Sequence, residues 1–277
     1  MRIKILFIIL FCFCICAISQ TSHYQWISQY KESESIVNRI LVPEGYQRIE
    51  VSPGTFEDWL RHLPLKPGKP PVYLYNGQKK NNQEAHFAVL DIDVGNTNLQ
   101  QCADALIRIR AEYFFSISNY DAIHFEFTSG DDASFRKWAE GYRPLVNGSS
   151  VNWIKQDSND LSYRNFRRYL NTVFMYSGTH SLSKELHAVQ DVNDMKIGDV
   201  FIEGGFPGHA VIVIDMAHNT RTGEKLFLLA QSYMPAQQIH ILKNPSDSKL
   251  NPWYSLNFGE TLYTPEWIFH RSHLKRF

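Results

Sequence analysis

Cysteine is scarce in this chain, and three of its four copies, Cys12, Cys14 and Cys16, crowd into the first 16 residues. Beyond them only Cys102 remains, which excludes an internal disulfide in a mature chain that has lost its leader. An excess of charge of one sign is also missing. Lys plus Arg and Asp plus Glu both number 28, so the electrostatic footprint of a nucleic-acid binder is absent. No apolar run reaches the ~20 residues of a membrane-spanning helix. There is no internal repeat and no low-complexity tract. Phosphate loops, dinucleotide fingerprints and a Gly-x-Ser-x-Gly elbow are lacking, which disfavours nucleotide-dependent enzymes and serine hydrolases. Without His-x-x-x-His or Cys-x-x-Cys spacing, His86, Asp91, Asp93 and His124 are better read as hydrogen-bonding groups than as metal ligands. Neither metal nor cofactor is expected.

What is present begins with a leader. Arg2 and Lys4 precede an apolar stretch over Ile5–Ile15, and Ala17-Ile18-Ser19 sets small residues at both cleavage-specifying positions. This predicts a secretory signal over residues 1–19, and a mature chain in the periplasm or outside the cell, with no spanning segment left after cleavage. Acylation of Cys16 is the alternative, disfavoured because Cys14-Ile15 stands where small residues are wanted. Removing the leader takes two basic groups and no acidic ones, so the mature chain is weakly acidic. The 277 residues, 44% hydrophobic and 20% charged, suit a globular unit with a large core.

Periodicity predicts an α+β architecture. An N-terminal half over residues 20–150 forms an α/β extension, continuous with a C-terminal half over residues 151–277. Thr55 caps a short helix over Thr55–Leu63. Val72–Tyr75 and Ala85–Val94 alternate as strands, with Asn76-Gly77 as a turn. Leu99, Cys102, Leu106, Ile109 and Tyr113 recur at helical spacing over Leu99–Ser116, with Arg108, Arg110 and Glu112 on the other sides as a solvated face or in ion pairs. A second helix is expected over Leu161–Tyr176. Strands follow at Asp199–Glu203, Ala210–Met216, Lys225–Gln231 and Gln238–Leu242, an antiparallel meander beside the helices.

The richest stretch is KIGDVFIEGGFPGHAVIVID, Lys196–Asp215. Gly198-Asp199 opens one strand, and a Gly-rich turn then delivers His209 to the head of the next. This geometry is expected to hold the imidazole over an open crevice. A thiol hydrolase needs a thiolate, a base and a polar group to orient that base. Cys102, near a helix N-terminus where the macrodipole favours a thiolate, His209 and Gln231 supply those types. Gln101 is a candidate oxyanion donor. The opposing reading is that Cys102, on an apolar stripe, is a small core residue, that His209 only caps backbone groups, and that Asp199 bonds local amides. Asp199, Tyr233 and Trp153 are candidate binding residues. The aromatic supply, with Trp138, Tyr142 and Trp253, suits a glycan cleft or a core equally.

Two resemblances add to this. LDIDVGNTNLQQCADALIRIRAEY, IHFEFTSG, FPGHAVIVIDMA and LLAQSYMPAQQIHILKNP resemble a family of secreted bacterial proteins known as domain of unknown function 4846, which implies no activity. Residues 162–242 resemble the papain-like core of NlpC-like endopeptidases and CHAP amidases. That resemblance implies a cysteine at a helix start, a Gly-Asp pair, a base histidine and a polar orienter. Gly198-Asp199, His209 and Gln231 match the last three. The preceding helix begins Tyr163-Arg164-Asn165, without a cysteine. Either Cys102 enters from another helix or hydrolysis is lost. The expected function is therefore an exported cysteine-hydrolase-like protein, a possible peptidase or amidase, acting on peptide or peptidoglycan. The alternative is a non-catalytic envelope protein that binds peptide or glycan through a degenerate papain-like cleft.

Overall fold

The computed structural model describes residues 24–277, so the expected signal peptide and Cys12, Cys14 and Cys16 lie outside the described residues. The expected meander forms. Strands Val200–Glu203, His209–Asn219, Lys225–Gln231 and His240–Leu242 run antiparallel in sequence order. Both faces of the central strands are covered, and His209 through Ala217 are buried without a break, so the strand reads as one apolar run. The fold is α+β, with a large antiparallel sheet and several helices.

Strands distant in sequence complete the sheet. His86–Val89 adds to the outer edge of His240–Leu242, and Tyr46–Arg48 pairs with the far end of the His209 strand. Leu274–Arg276 adds to the other side, along Val200–Glu203. Segments on both sides of residue 150 therefore share one sheet.

The helix Cys102–Ser116 lies across the His209 strand and the Lys225–Gln231 strand. It begins three residues later than the apolar spacing predicts. The carboxylate of Asp104 accepts from the Gln101 amide at 3.0 Å, which fixes the N-cap at Gln101 and makes Cys102 the first helical residue. Asn98, in the turn before the helix, accepts from the Ala236 amide at 2.8 Å. The helix is buried nearly all round. Arg108 (0% exposed) and Glu112 (1%) are not a solvated face but an internal ion pair at 3.2 Å. Arg108 also reaches Asp93 at 2.7 Å and Gln100 at 2.8 Å, and Tyr163 donates to Glu112 at 2.8 Å. Arg110 stacks its guanidinium over Phe56 and Phe114.

Trp138 and Trp253, candidates for a glycan cleft, are core residues. Trp138 donates to Asn165 and Trp253 to the Leu41 carbonyl, so each indole N–H is satisfied internally.

Candidate functional site

Three elements converge at one end of the sheet. Cys102 opens its helix, His209 opens its strand, and Gln231 closes the next. The register explains the last pairing. Ala230 faces Ile212, so Gln231 falls diagonally beside His209 on the same face, directly opposite His240 on the neighbouring strand. The cysteine helix is tied to this end. Ser232 Oγ bridges the Gln100 carbonyl at 3.1 Å and the Gln237 carbonyl at 2.8 Å. The backbone amides of Ala103 and of Ala210, the residue after His209, favour the thiolate form of Cys102. The helix that meets the meander with a thiol is thus Cys102–Ser116, not Tyr163–Tyr176.

Glycine makes the His209 turn possible. A Cβ on Gly208 would stand 2.4 Å from Thr179 Oγ1 and 2.6 Å from the Gly205 carbonyl, and one on Gly204 would stand 2.1 Å from Ser183 Oγ. These close approaches seat the turn against the helix Thr179–Glu185.

The expectation of an open crevice is corrected. His209 is 1% exposed. Tyr233, Trp267 and Phe269 pack on its ring at centroid separations of 4.6, 5.3 and 5.8 Å. Trp267 and Phe269 belong to the C-terminal hairpin Thr261–Tyr263 and Ile268–His270. Trp267 anchors it by donating to Glu203 at 3.0 Å, and Glu203 is the register partner of His209. The cover comes from the end of the chain, where no local pattern announces it.

His209 Nε2 meets Gln231 Oε1 at 2.8 Å. The Gln231 amide nitrogen donates to Glu266 Oε2 at 2.7 Å and lies 3.3 Å from His240 Nε2. Lys80 pairs with Glu266, and Asn82 donates to its other oxygen at 3.3 Å. Sequence reasoning missed Glu266, Lys80 and His240. The first two sit in turn-rich segments without periodicity; His240 was visible only as the residue opposite Gln231.

Burial keeps the central groups neutral. It pulls His209 down to about 4, with the Gln231 hydrogen bond raising and Lys80 lowering it. His240 falls to about 3, again mainly through burial. Cys102 is pushed up to about 11 by burial and by Asp104, against the backbone hydrogen bonds that favour the thiolate. The expectation that the helix start activates the resting thiol is thus overturned by desolvation. Asp104, its Oδ1 buried without a partner, rises to about 8 through burial.

These shifts give a stability profile with a definite sign. His209, depressed from 6.5 to about 4, contributes stability above pH 6.5 that is lost as pH falls toward 4. Asp104, raised from 3.8 to about 8, contributes stability below pH 3.8 that is lost as pH rises through 8. Asp104→Asn keeps the cap acceptor and removes the second effect. We expect the variant to match the wild type near pH 4 and to exceed it by a few kcal/mol at pH 8. Thermal denaturation across pH 4–8 checks this; an equal gap at every pH would contradict it.

The remaining sequence candidates divide. Gln101 is beside the thiol, its side chain donating to Asn98 at 3.3 Å. Tyr233 is part of the His209 cover. Asp199 is not in the site. It sits at the other end of its strand, where Arg276 donates to it at 2.6 and 2.7 Å and the Lys196 amide at 2.8 Å. Trp153 lies on a separate hairpin, Tyr142–Asn147 with Ser150–Lys155, parallel to Phe127 at 6.3 Å and under the Lys137 ammonium. Its pairing with that local hairpin, rather than with the main sheet, removes it from the His209 group. Asp93 is engaged by Arg108 and Arg167, and His124 by Asp132 on another small hairpin. Among the described residues no group of three or more His, Cys, Asp or Glu could hold a metal. Among them, too, no helix is long and apolar enough to cross a membrane.

A protein-family model with the description "Domain of unknown function (4846)" matches residues 36–276. No curated protein and no solved structure matches the chain.

Proposed function

The chain belongs to the family described as domain of unknown function 4846, and from the geometry of its site we propose that it is an exported thiol hydrolase or acyl transferase acting on peptide amide bonds such as those of peptidoglycan. In this reading the fold has a papain-like, NlpC- or CHAP-like core. Cys102 is the nucleophile, His209 the base and Gln231 the group that orients it. The carrying observation is the 2.8 Å contact of Gln231 with His209 Nε2, at the end of the sheet where Cys102 opens its helix. That contact occupies one ring nitrogen and leaves Nδ1 as the base.

In this reading the reaction runs from thiol to thioester to acid. Nδ1 takes the Cys102 proton as the thiolate attacks the carbonyl carbon. The amides at the helix start and the Gln101 side chain receive the developing oxyanion. The imidazolium then protonates the departing amine, leaving a thioester. Water attacks the thioester, gives its proton to Nδ1, and releases the acid and the thiol. Because the resting ring is covered, substrate entry requires the Tyr233–Trp267 cover to move. Each wall carries an exposed apolar neighbour: Phe206 before the His209 turn (93% exposed), Met234 after Tyr233 and Ile268 after Trp267. Such a rim suits a ligand with apolar side chains.

The same burial favours a second reading, a peptide-binding protein without turnover, because thiol and imidazole are both neutral at rest. The two separate by incubation with murein peptides and with unrelated peptide esters. The first reading predicts cleavage and an acyl mass on the peptide containing Cys102. Retention of peptide with neither cleavage nor adduct would replace it with the second.

A further inference from the structure

We propose that Glu266, with its charge balanced by Lys80, is a positioning residue that fixes the Gln231 amide and so decides which nitrogen of His209 carries the proton. The inference rests on the thiol-site reading above. A primary amide is nearly the same shape either way round, and its two ends make opposite demands. With oxygen toward His209, Nε2 must donate and Nδ1 is left as an unprotonated base. With the amide nitrogen toward His209, Nε2 must accept, the proton moves to Nδ1, and the ring cannot deprotonate a thiol from there.

The surroundings select the first arrangement. A carboxylate paired with an ammonium group can only accept, and Glu266 Oε2 lies 2.7 Å from the Gln231 amide nitrogen. His240 makes the same demand. Its Nδ1 donates to the Gln238 carbonyl at 2.9 Å, so its Nε2 is an acceptor, 3.3 Å from the same amide nitrogen. Two acceptors use both amide hydrogens, and only the oxygen is left for His209. The charge-assisted bond to Glu266 is the shorter and the stronger of the two. Lys80 and Asn82 hold that carboxylate in place. Glu266 precedes Trp267, so one hairpin supplies both the cover over His209 and the group that sets its proton.

Nitrogen-15 NMR of the imidazole rings, on the labelled full-length mature protein at pH 6–8, reads the protons directly. The wild type is expected to show His209 protonated on Nε2 and His240 on Nδ1. Glu266→Gln keeps an acceptor oxygen and is expected to preserve this pattern. Lys80→Met with Glu266→Leu removes both charges without stranding either. It is expected to give a second His209 population protonated on Nδ1 and at least a ~tenfold slower acylation of Cys102. A wild-type His209 protonated on Nδ1 overturns the proposal, as does a folded double variant with unchanged His209 signals. Should the double variant not fold, Glu266→Leu alone is read by the same His209 signals, and unchanged signals overturn the proposal. The readout is independent of turnover, so a correct tautomer in a protein without acyl chemistry would refute the thiol reading and leave the positioning role standing.

Discussion

Replacing His209 with alanine is expected to lower peptide turnover by ~10³-fold or more, and Cys102→Ser to remove it. The reason is the resting chemistry. With the thiol at about 11 and the imidazole at about 4, neither group ionises alone near neutrality. Attack requires the proton to pass from sulfur to ring within the site, so a thiol without its base is a buried neutral group of low nucleophilicity. Gln231→Ala is expected to cost less, ~10–100-fold, because it frees the ring to rotate and change tautomer without removing it. The fold must be checked in parallel. His209→Ala opens a void among Tyr233, Trp267 and Phe269 and leaves the Gln231 oxygen unpaired, at ~1–3 kcal/mol. A well-folded His209→Ala protein with wild-type kcat/KM would remove the base from the account.

The largest effect on stability is expected at Arg108. Its side chain is fully buried, bonded at once to Glu112, Asp93 and Gln100. Arg108→Met conserves much of the volume and leaves buried Glu112, one of whose oxygens already has no partner, with only the Tyr163 hydroxyl and a 3.8 Å approach from Arg167. Breaking a buried pair from one side costs ~3–5 kcal/mol, more than the pair itself contributes. For a chain of this size that is a fall in melting temperature of roughly 10 °C. Adding Glu112→Gln should recover part of the loss, since the under-compensated buried charge then disappears. Gln100 joins Arg108 to the turn before Cys102 and to Ser232, so Cys102 should also become easier to alkylate. Calorimetry of the two variants tests this; a loss under ~1 kcal/mol in Arg108→Met would show that the cluster is not a buried ion pair in solution.

Much of the sheet was legible because its strands are local patterns. Lys225–Gln231 is bounded as its short apolar run predicts, and the pairing of Gln231 with His209 follows from the antiparallel meander. The cysteine helix was legible in its periodicity but not at its start. There a carboxylate three residues beyond Gln101 sets the cap, which the apolar spacing does not register. Asp199 lies apart from His209, and its partner was not legible because a Gly-Asp pair at a strand head looks the same whether it meets a ligand or Arg276, which lies 77 residues away. Trp153 misled because aromatic content does not reveal which sheet a hairpin joins. Glu266, Lys80 and the covering Trp267 act across long sequence distances from loops and hairpin tips, and long-range contacts of that kind leave no periodic trace.

The most direct test of the account is the capture of Cys102 by a peptide-derived electrophile, compared with a small generic alkylating agent, in wild type and His209→Ala. The account predicts rapid, stoichiometric capture of wild type by the peptide reagent, little capture of His209→Ala, and slow reaction of both with the generic reagent. Equal rates for the two proteins with the peptide reagent, or no capture of either, would contradict it.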